Sequence, residues 1–153
     1  MEMFGCVGDD RLGREAVENL EGAGIATGGI IIREEIHSGV AQIMVDTRGE
    51  NIIAVAPGAN FKLTPADIRL PEPSGDGTDI ALFQNEIPQA TTEALIQECR
   101  KRGVRVVWNT APVCRERPAP ATLKSVDLLV CNRVELGMLV GEGNVEASAA
   151  WLR

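Results

Sequence analysis

The sequence has no apolar run that approaches the roughly 20 residues needed for a membrane-spanning helix. Its first residues also lack the basic segment followed by an apolar one that is typical of a secretory signal. These two absences argue against a membrane protein and against a secreted one. They predict a soluble, cytoplasmic protein with no membrane partner.

Paired cysteines and basic clusters are missing too. The four cysteines, Cys6, Cys99, Cys114 and Cys131, form no Cys-x-x-Cys pair, which favours reduced thiols over a disulfide framework or a zinc site. The net charge is −7 and no stripe of Lys and Arg is present, so we predict no nucleic-acid partner. The single histidine, His37, has no nucleophile signature near it, and we interpret it as structural.

The chain begins with a predicted strand and a predicted helix, and a β-rich stretch follows them. An apolar strand is predicted at 3–7, and a helix capped by Asp9 and Asp10 ends at Gly24. Three segments follow, at 29–33, 38–46 and 51–56. They are rich in Ile and Val and show the residue alternation that is typical of β-strands. A turn signal at 46–50 joins the last two segments into a hairpin.

From Thr64 the pattern changes to alternating strands and helices. Thr64 and Pro65 are typical of a helix start, and the Gly- and Pro-rich segment 71–78 predicts a surface loop. Further elements follow in β-α-β order: strands at 79–84, 104–109 and 126–131, with helices over 89–102, from 133 and over 145–153. Such alternation predicts right-handed crossovers and a parallel sheet flanked by helices. A chain of 153 residues suits one domain with one core.

Polar side chains fall at the predicted carboxyl ends of three strands, where ligands collect in doubly wound sheets. They are Glu86, Asn109 and Asn132, and Glu135 follows Asn132 at a spacing that puts both on one face of a helical turn. Each has a plainer alternative. Glu86 could be a solvated loop carboxylate and Asn109 a polar loop residue, while Asn132 and Glu135 form a capping-box pattern.

Four motifs occur in an order and at a spacing that resemble the ribokinase branch of the phosphofructokinase-B sugar kinases. They are Gly5-Cys6-Val7-Gly8-Asp9-Asp10-Arg11-Leu12-Gly13, Gln84-Asn85-Glu86-Ile87-Pro88, Asn109-Thr110-Ala111-Pro112 and Asn132-Arg133-Val134-Glu135. The resemblance runs from about Met3 to the last residue. It departs from the family pattern at Thr110, where the family has proline.

The resemblance implies a ribokinase-like, Rossmann-type α/β fold in one partial domain, with a β-sheet lid at about 29–57 and an α/β core at about 64–153. It implies ATP-dependent phosphorylation of ribose or a related pentose, with Mg²⁺. Glu86 would contact the sugar, and Asn109 would lie on the nucleotide side. Asn132 and Glu135 would organise metal and phosphate through bound water, with no direct metal ligand. The lid would cover the sugar and pair with a second subunit, which gives a homodimer.

The resemblance also implies an internal fragment that lacks both functional ends of a kinase. The family's sugar-binding first strand and Gly-rich segment would precede Met3, and its Gly-Ala-Gly-Asp loop would follow Arg153. Gly22-Ala23-Gly24-Ile25 does not replace that loop, since Ile25 cannot accept a proton. We therefore assign no catalytic residue and expect the chain alone to be catalytically incomplete. The alternatives are a non-catalytic dimeric scaffold derived from a sugar kinase and a fragment of a nucleoside or fructose-type kinase.

Overall fold

Parallel strand pairing organises both units of the computed structural model, which describes residues 1–113 and 116–140. The first unit spans Met1–Arg69 and the second spans Leu70–Arg153. The helix predicted over 145–153 lies outside the described residues. The division of one domain into a lid and a core stays a prediction. Within the described residues, no helix is long and apolar enough to cross a membrane.

The first unit begins with a β-α-β element. Strand β1 (Glu2–Gly8) pairs in parallel with β2 (Ala26–Arg33), and helix α1 (Arg11–Gly22) connects them. Asp10 caps α1 because its Oδ1 accepts a hydrogen bond from the N–H of Gly13 at 2.8 Å. The chain leaves the helix through Gly24, whose φ of +76° suits glycine. The predicted start and end of this helix are confirmed.

The buried residue of helix α1 is a glycine, while the apolar stripe of its sequence is half-buried or exposed. Gly13 is its buried residue, whereas Leu12 is 42% exposed. A Cβ at Gly13 would lie 2.8 Å from Ser38 Oγ, so the first turn sits close against the segment that precedes the hairpin. Periodicity alone does not predict this contact, because glycine contributes nothing to a hydrophobic stripe.

The antiparallel part of the first unit is one hairpin. Strands β3 (Val40–Val45) and β4 (Asn51–Ala56) pair along their whole length, and every residue in them is exposed. Residues 29–33, which we assigned to the lid, lie in β2 and pair with β1 instead, so the hairpin is smaller than the predicted lid. Two 3₁₀ helices follow at Gly58–Lys62 and Pro65–Asp67. The start predicted at Thr64 is correct in place, but its helix has three residues.

The second unit is a three-stranded parallel sheet in the order β5-β6-β7. Its elements are β5 (Ile80–Phe83), α2 (Gln89–Lys101), β6 (Arg105–Asn109), α3 (Pro120–Leu123), β7 (Leu128–Val130) and α4 (Arg133–Val140). The predicted α/β class and parallel pairing are confirmed, and α3 was not predicted. All three strands run in one direction, so their carboxyl ends lie at one edge of the sheet.

One face of this sheet forms the core of the second unit. The register aligns Phe83 with Trp108 and Trp108 with Leu129, and these side chains pack with Ile96 and Cys99 of α2. Trp108 and Ile96 are fully buried. The opposite face carries exposed aliphatic side chains: Ile80, Leu82, Leu128 and Val130. Helices α2 and α3 both lie on the buried face, as right-handed crossovers advancing in one direction require.

Candidate functional site

The predicted site residues lie at the carboxyl edge of the β5-β6-β7 sheet. Glu86 is in the loop that follows β5, Asn109 is the last residue of β6, and Asn132 follows β7 just before α4. The sheet therefore brings Glu86, Asn109, Asn132 and Glu135 to one edge, as the strand-end pattern predicted. What each residue binds stays a prediction.

Glu86 is exposed, and within the described part of the chain its carboxylate has no hydrogen-bond partner. A carboxylate that only accepts hydrogen bonds and is not engaged within the protein is free to bind hydroxyl groups of a ligand. The loop that carries it is well fixed, as its neighbour shows.

Asn85 ties the Glu86 loop to the next strand end. Its Nδ2 donates to the carbonyl oxygens of Thr110 and Pro112, both at 2.9 Å. Its backbone N–H donates to the carbonyl of Ala111 at 3.1 Å. Its Oδ1 accepts from Trp108 Nε1 at 2.9 Å. The amide thus joins the ends of β5 and β6.

The Trp108 indole explains why an amide stands at position 85. Trp108 is fully buried, and a buried indole N–H requires an acceptor. Because the indole can only donate, the atom that faces it is Oδ1 of Asn85, and the NH₂ group must face the two carbonyls. We assigned no role to Asn85 from the sequence. The available signal was a tryptophan inside the strand predicted at 104–109.

Asn109 closes its own loop. Its Oδ1 accepts a hydrogen bond from the N–H of Ala111 at 3.3 Å, a short-range contact typical of asparagine in turns. The Ala111–Pro112 peptide bond in this loop is cis. The polar-loop interpretation of Asn109 therefore has direct support, and a place on the nucleotide side stays a prediction.

Asn132 and Glu135 form a complete capping box at the start of α4. Asn132 Oδ1 accepts from the N–H groups of Val134 and Glu135, both at 2.9 Å. In return, Glu135 accepts from Asn132 N at 2.8 Å and from Asn132 Nδ2 at 2.7 Å. The capping interpretation is confirmed. Both carboxylate oxygens of Glu135 are used, and the residue is only 6% exposed.

Thr110 links this helix start to β6. It is 1% exposed, its N–H donates to the carbonyl of Val130 at 3.0 Å, and its hydroxyl lies 3.5 Å from Glu135 Oε2. Thr110, Glu135 and Leu139 help to line a cavity of about 10 Å³, which has room for about one water molecule. A proline at this position could not donate the bond to Val130.

A second polar cluster lies in the first unit and anchors the base of the hairpin. Asp10 accepts from the backbone N–H and the hydroxyl of Ser38, both at 2.7 Å. The hydrogen bonds from Ser38 and Gly13 lower the pKa of Asp10 to about 2. Ser38 Oγ also accepts from the N–H of Gly8 at 3.0 Å, and His37 Nδ1 donates to the carbonyl of Ser38 at 2.7 Å. These contacts support the structural interpretation of His37.

Metal ligands are sparse in the part of the chain that the structure describes. No group of three His, Cys, Asp or Glu side chains there could hold a metal ion directly. Glu135 lies at a helix start, where the N-terminal end of the helix dipole favours anions such as phosphate. A role for Asn132 and Glu135 beside a hydrated metal ion stays a prediction.

Comparisons with known proteins agree with this architecture. The profile of the pfkB family carbohydrate kinases matches residues 1–153. The chain is 32% identical to the ribokinase of Schizosaccharomyces pombe over 97% of its own length and 46% of that protein. The chain thus spans about half the length of the curated relatives it matches.

Solved structures give the same picture. The Thermotoga maritima ribokinase superposes on 99% of this chain with a TM-score of 0.77 and 31% identity, and the match covers 49% of that ribokinase. Arabidopsis thaliana ribokinase, solved with ribose and ATP, superposes on 99% of the chain with a TM-score of 0.76 and 26% identity, covering 50% of its own length. The ribokinase-like fold predicted from the motifs is confirmed.

Proposed function

Because the chain belongs to the pfkB family of carbohydrate kinases, we propose that it forms part of an ATP-dependent kinase that phosphorylates ribose or a related pentose. The main support is that Glu86, Asn109 and the Asn132–Glu135 pair lie at the carboxyl edge of one parallel sheet. This is where open α/β sheets bind ligands. The solved Arabidopsis relative holds ribose and ATP.

Glu86 is the proposed sugar contact. Its carboxylate is exposed, while Asn85 holds its loop through three side-chain hydrogen bonds. An ionised carboxylate can accept hydrogen bonds from two neighbouring hydroxyl groups of a pentose. Binding the sugar by a fixed loop positions its reacting hydroxyl and so lowers the entropic part of the barrier.

Asn132 and Glu135 are the proposed organisers of metal and phosphate. Mg²⁺ keeps several water ligands and supplies charge stabilisation to the transferred phosphoryl group. Asn132 is exposed and fixes the first turn of α4, while the buried Glu135 holds Asn132 in place. In this proposal the pair acts through water, and Asn109 lies on the nucleotide side.

We assign no general base within this chain, and we expect no turnover from it alone. Phosphoryl transfer needs an activated hydroxyl in addition to charge stabilisation. The proposed setting is the cytoplasm, since the described cysteines Cys6, Cys99 and Cys131 are free thiols.

The test is ribose-dependent thermal stabilisation of the chain, because a ligand that binds only the folded state raises its Tm. We expect ribose to raise the Tm of the unmodified chain, and Glu86→Gln to reduce this shift without lowering the Tm in buffer. Glu72→Gln, an exposed glutamate in the same unit, is the matched control. The same shift in Glu86→Gln and in the control would contradict the sugar contact. A coupled ADP-release assay with ribose, ATP and Mg²⁺ tests the expected lack of turnover.

A homodimeric scaffold is the second candidate function, and the β3–β4 hairpin favours it. Cross-strand pairing puts Ile43 opposite Ile53 and Ala41 opposite Val55 on one face. Ile43, Ile53 and Val55 are each more than half exposed. A two-fold partner that pairs this face with itself would bury these side chains.

Light scattering tests the dimer. We expect Ile53→Asp to produce monomers, whereas Ile52→Asp, which changes the opposite face of the hairpin, weakens the dimer less. A monodisperse monomer of the unmodified chain at micromolar concentration would exclude this interface.

A further inference from the structure

The carboxyl edge contains an asparagine, Asn85, whose side chain is bonded within the protein and whose neighbour, Glu86, is the proposed sugar contact. We propose that Asn85 is a positioning residue that holds Glu86 in its binding position by fixing the β5 loop to the end of β6. The proposal rests on the proposed function in one respect, the assignment of Glu86 to sugar binding.

The first support is the completeness of the bonding around the Asn85 amide. Both donor directions of Nδ2 are used, at 2.9 Å to Thr110 O and 2.9 Å to Pro112 O. Oδ1 accepts from Trp108 Nε1 at 2.9 Å. A primary amide is the group that offers two donors and an acceptor at these positions. Leucine would match its size but leave the buried indole N–H without a partner, which is costly.

The second support is that the contacts extend to the opposite end of the site. Thr110, whose carbonyl accepts from Asn85, donates its own N–H to Val130 at 3.0 Å. Its hydroxyl lies 3.5 Å from the carboxylate of Glu135. A continuous set of hydrogen bonds therefore joins the loop of Glu86 to the Asn132–Glu135 helix start. These bonds restrict the backbone of the loop that carries Glu86.

The third support is the contrast between two adjacent side chains, of which one is fixed and the other is exposed. Asn85 points toward Trp108 and the β6 loop, whereas its neighbour Glu86 is exposed. Anchoring one residue by three side-chain bonds restricts the backbone of the next residue. It therefore reduces the conformational entropy that Glu86 would lose on binding a ligand.

The experiment compares Asn85→Leu and Asn85→Asp with the unmodified chain. Asn19→Asp, an exposed substitution on α1, is the charge-matched control. The first readout is hydrogen exchange by NMR at the backbone amides of residue 85 and Ala111 and at the Trp108 indole, which are all hydrogen-bonded at this edge. We expect exchange at least about tenfold faster in both Asn85 variants and unchanged in the control. Unchanged exchange in a folded Asn85→Leu or Asn85→Asp protein would overturn the proposal.

If Asn85→Leu does not fold, Asn85→Asp still tests the proposal. Its second oxygen would face the carbonyls of Thr110 and Pro112, which disfavours the ionised form. Protonation restores one donor, so exchange protection should return as the pH is lowered from 8 toward about 5. If Asn85→Asp loses as much exchange protection as Asn85→Leu at every pH, the hydrogen bonds of Asn85 do not fix the loop.

Ribose affinity by calorimetry separates positioning from general stability. We expect Asn85→Leu to weaken ribose binding about tenfold, and the double variant with Glu86→Ala to bind no more weakly than Glu86→Ala alone. Additive losses would show that Asn85 does not act through Glu86 and would overturn the proposal. If the unmodified chain binds no ribose, the proposed function fails, and the exchange measurements alone decide whether Asn85 fixes the loop.

Discussion

The β3–β4 hairpin and the β5-β6-β7 sheet use similar aliphatic residues in opposite ways. Every residue of the hairpin strands is exposed, including Ile52 at 70% and Val45 at 64%. In the sheet, Val106 and Trp108 are fully buried against α2. A strand rich in Ile and Val is thus not enough to predict burial. A crossover helix covers one face of the sheet, whereas no helix among the described residues buries either hairpin strand.

The two regions are also held in place differently. The sheet depends on side-chain packing along its buried face, whereas the hairpin is anchored at its base by the polar contacts of Ser38 with Asp10 and Gly8. Core packing should dominate the free energy of unfolding in the second unit. Hydrogen bonding should dominate the attachment of the hairpin in the first.

The largest expected effect is in the sheet. Ile96→Ala removes a fully buried side chain next to Trp108 and should lower the free energy of unfolding by about 2–5 kcal/mol, through lost burial and the cavity that remains. Urea denaturation followed by circular dichroism measures the change. A loss below about 1 kcal/mol would mean that this core is loosely packed in solution.

The next effect is at the hairpin anchor. Ser38→Ala leaves the N–H of Gly8 without its partner and removes the hydroxyl that binds Asp10. Ser38 is buried, so we expect a loss of about 1–3 kcal/mol. Hydrogen exchange at Gly8 and along β3 should accelerate while the second unit stays protected. An equal effect on both units would contradict a local anchor.

Acid should weaken the same anchor. The pKa of Asp10 is lowered to about 2 by its hydrogen bonds with Ser38 and Gly13, and the value in an unfolded chain is about 3.9. The stabilisation is therefore complete above about pH 4 and is lost as the pH falls toward 2. NMR titration measures the pKa, and Asp10→Asn should remove this part of the acid transition. Asp9→Asn is the control, and an identical acid transition in both variants would rule out Asp10 as its cause.

The smallest expected effect tests whether the hairpin is open. Ile53→Ala makes the same chemical change as Ile96→Ala, but its side chain is 53% exposed. In a monomeric chain it should change the free energy of unfolding by no more than about 0.5 kcal/mol. A larger loss that grows with protein concentration would show that a second copy covers the hairpin.

Local signals predicted most of the fold. The Gly24 helix end, the hairpin turn at 46–50 and the alternation of strands and helices after 79 each depend on neighbouring residues, so the sequence displays them directly. The capping box of Asn132 and Glu135 was visible for the same reason. The motifs then supplied the ribokinase-like fold.

Contacts between distant residues could not be predicted in this way. Asn85 meets Trp108 and Thr110 only after β5 and β6 pair, and Gly13 meets Ser38 only after β1 and α1 form. The partner of β2 was also not evident, because an Ile-rich strand suits a lid as well as a parallel pair. Tertiary contacts decided these points, while local propensity did not.

The turn at the hairpin tip has a practical consequence. Asp46 closes the turn with both its side chain and its backbone. Its Oδ1 accepts from the N–H groups of Arg48 at 2.8 Å and Glu50 at 3.0 Å. Its own N–H donates to the carbonyl of Glu50 at 2.9 Å, and Gly49 takes a φ of +85°. None of these residues belongs to the buried cores. A fluorophore or an epitope peptide inserted between Thr47 and Arg48 would therefore leave both cores intact. The hairpin tip is therefore a suitable attachment site for immobilising the molecule. Energy transfer between labels at this site would report when another hairpin approaches.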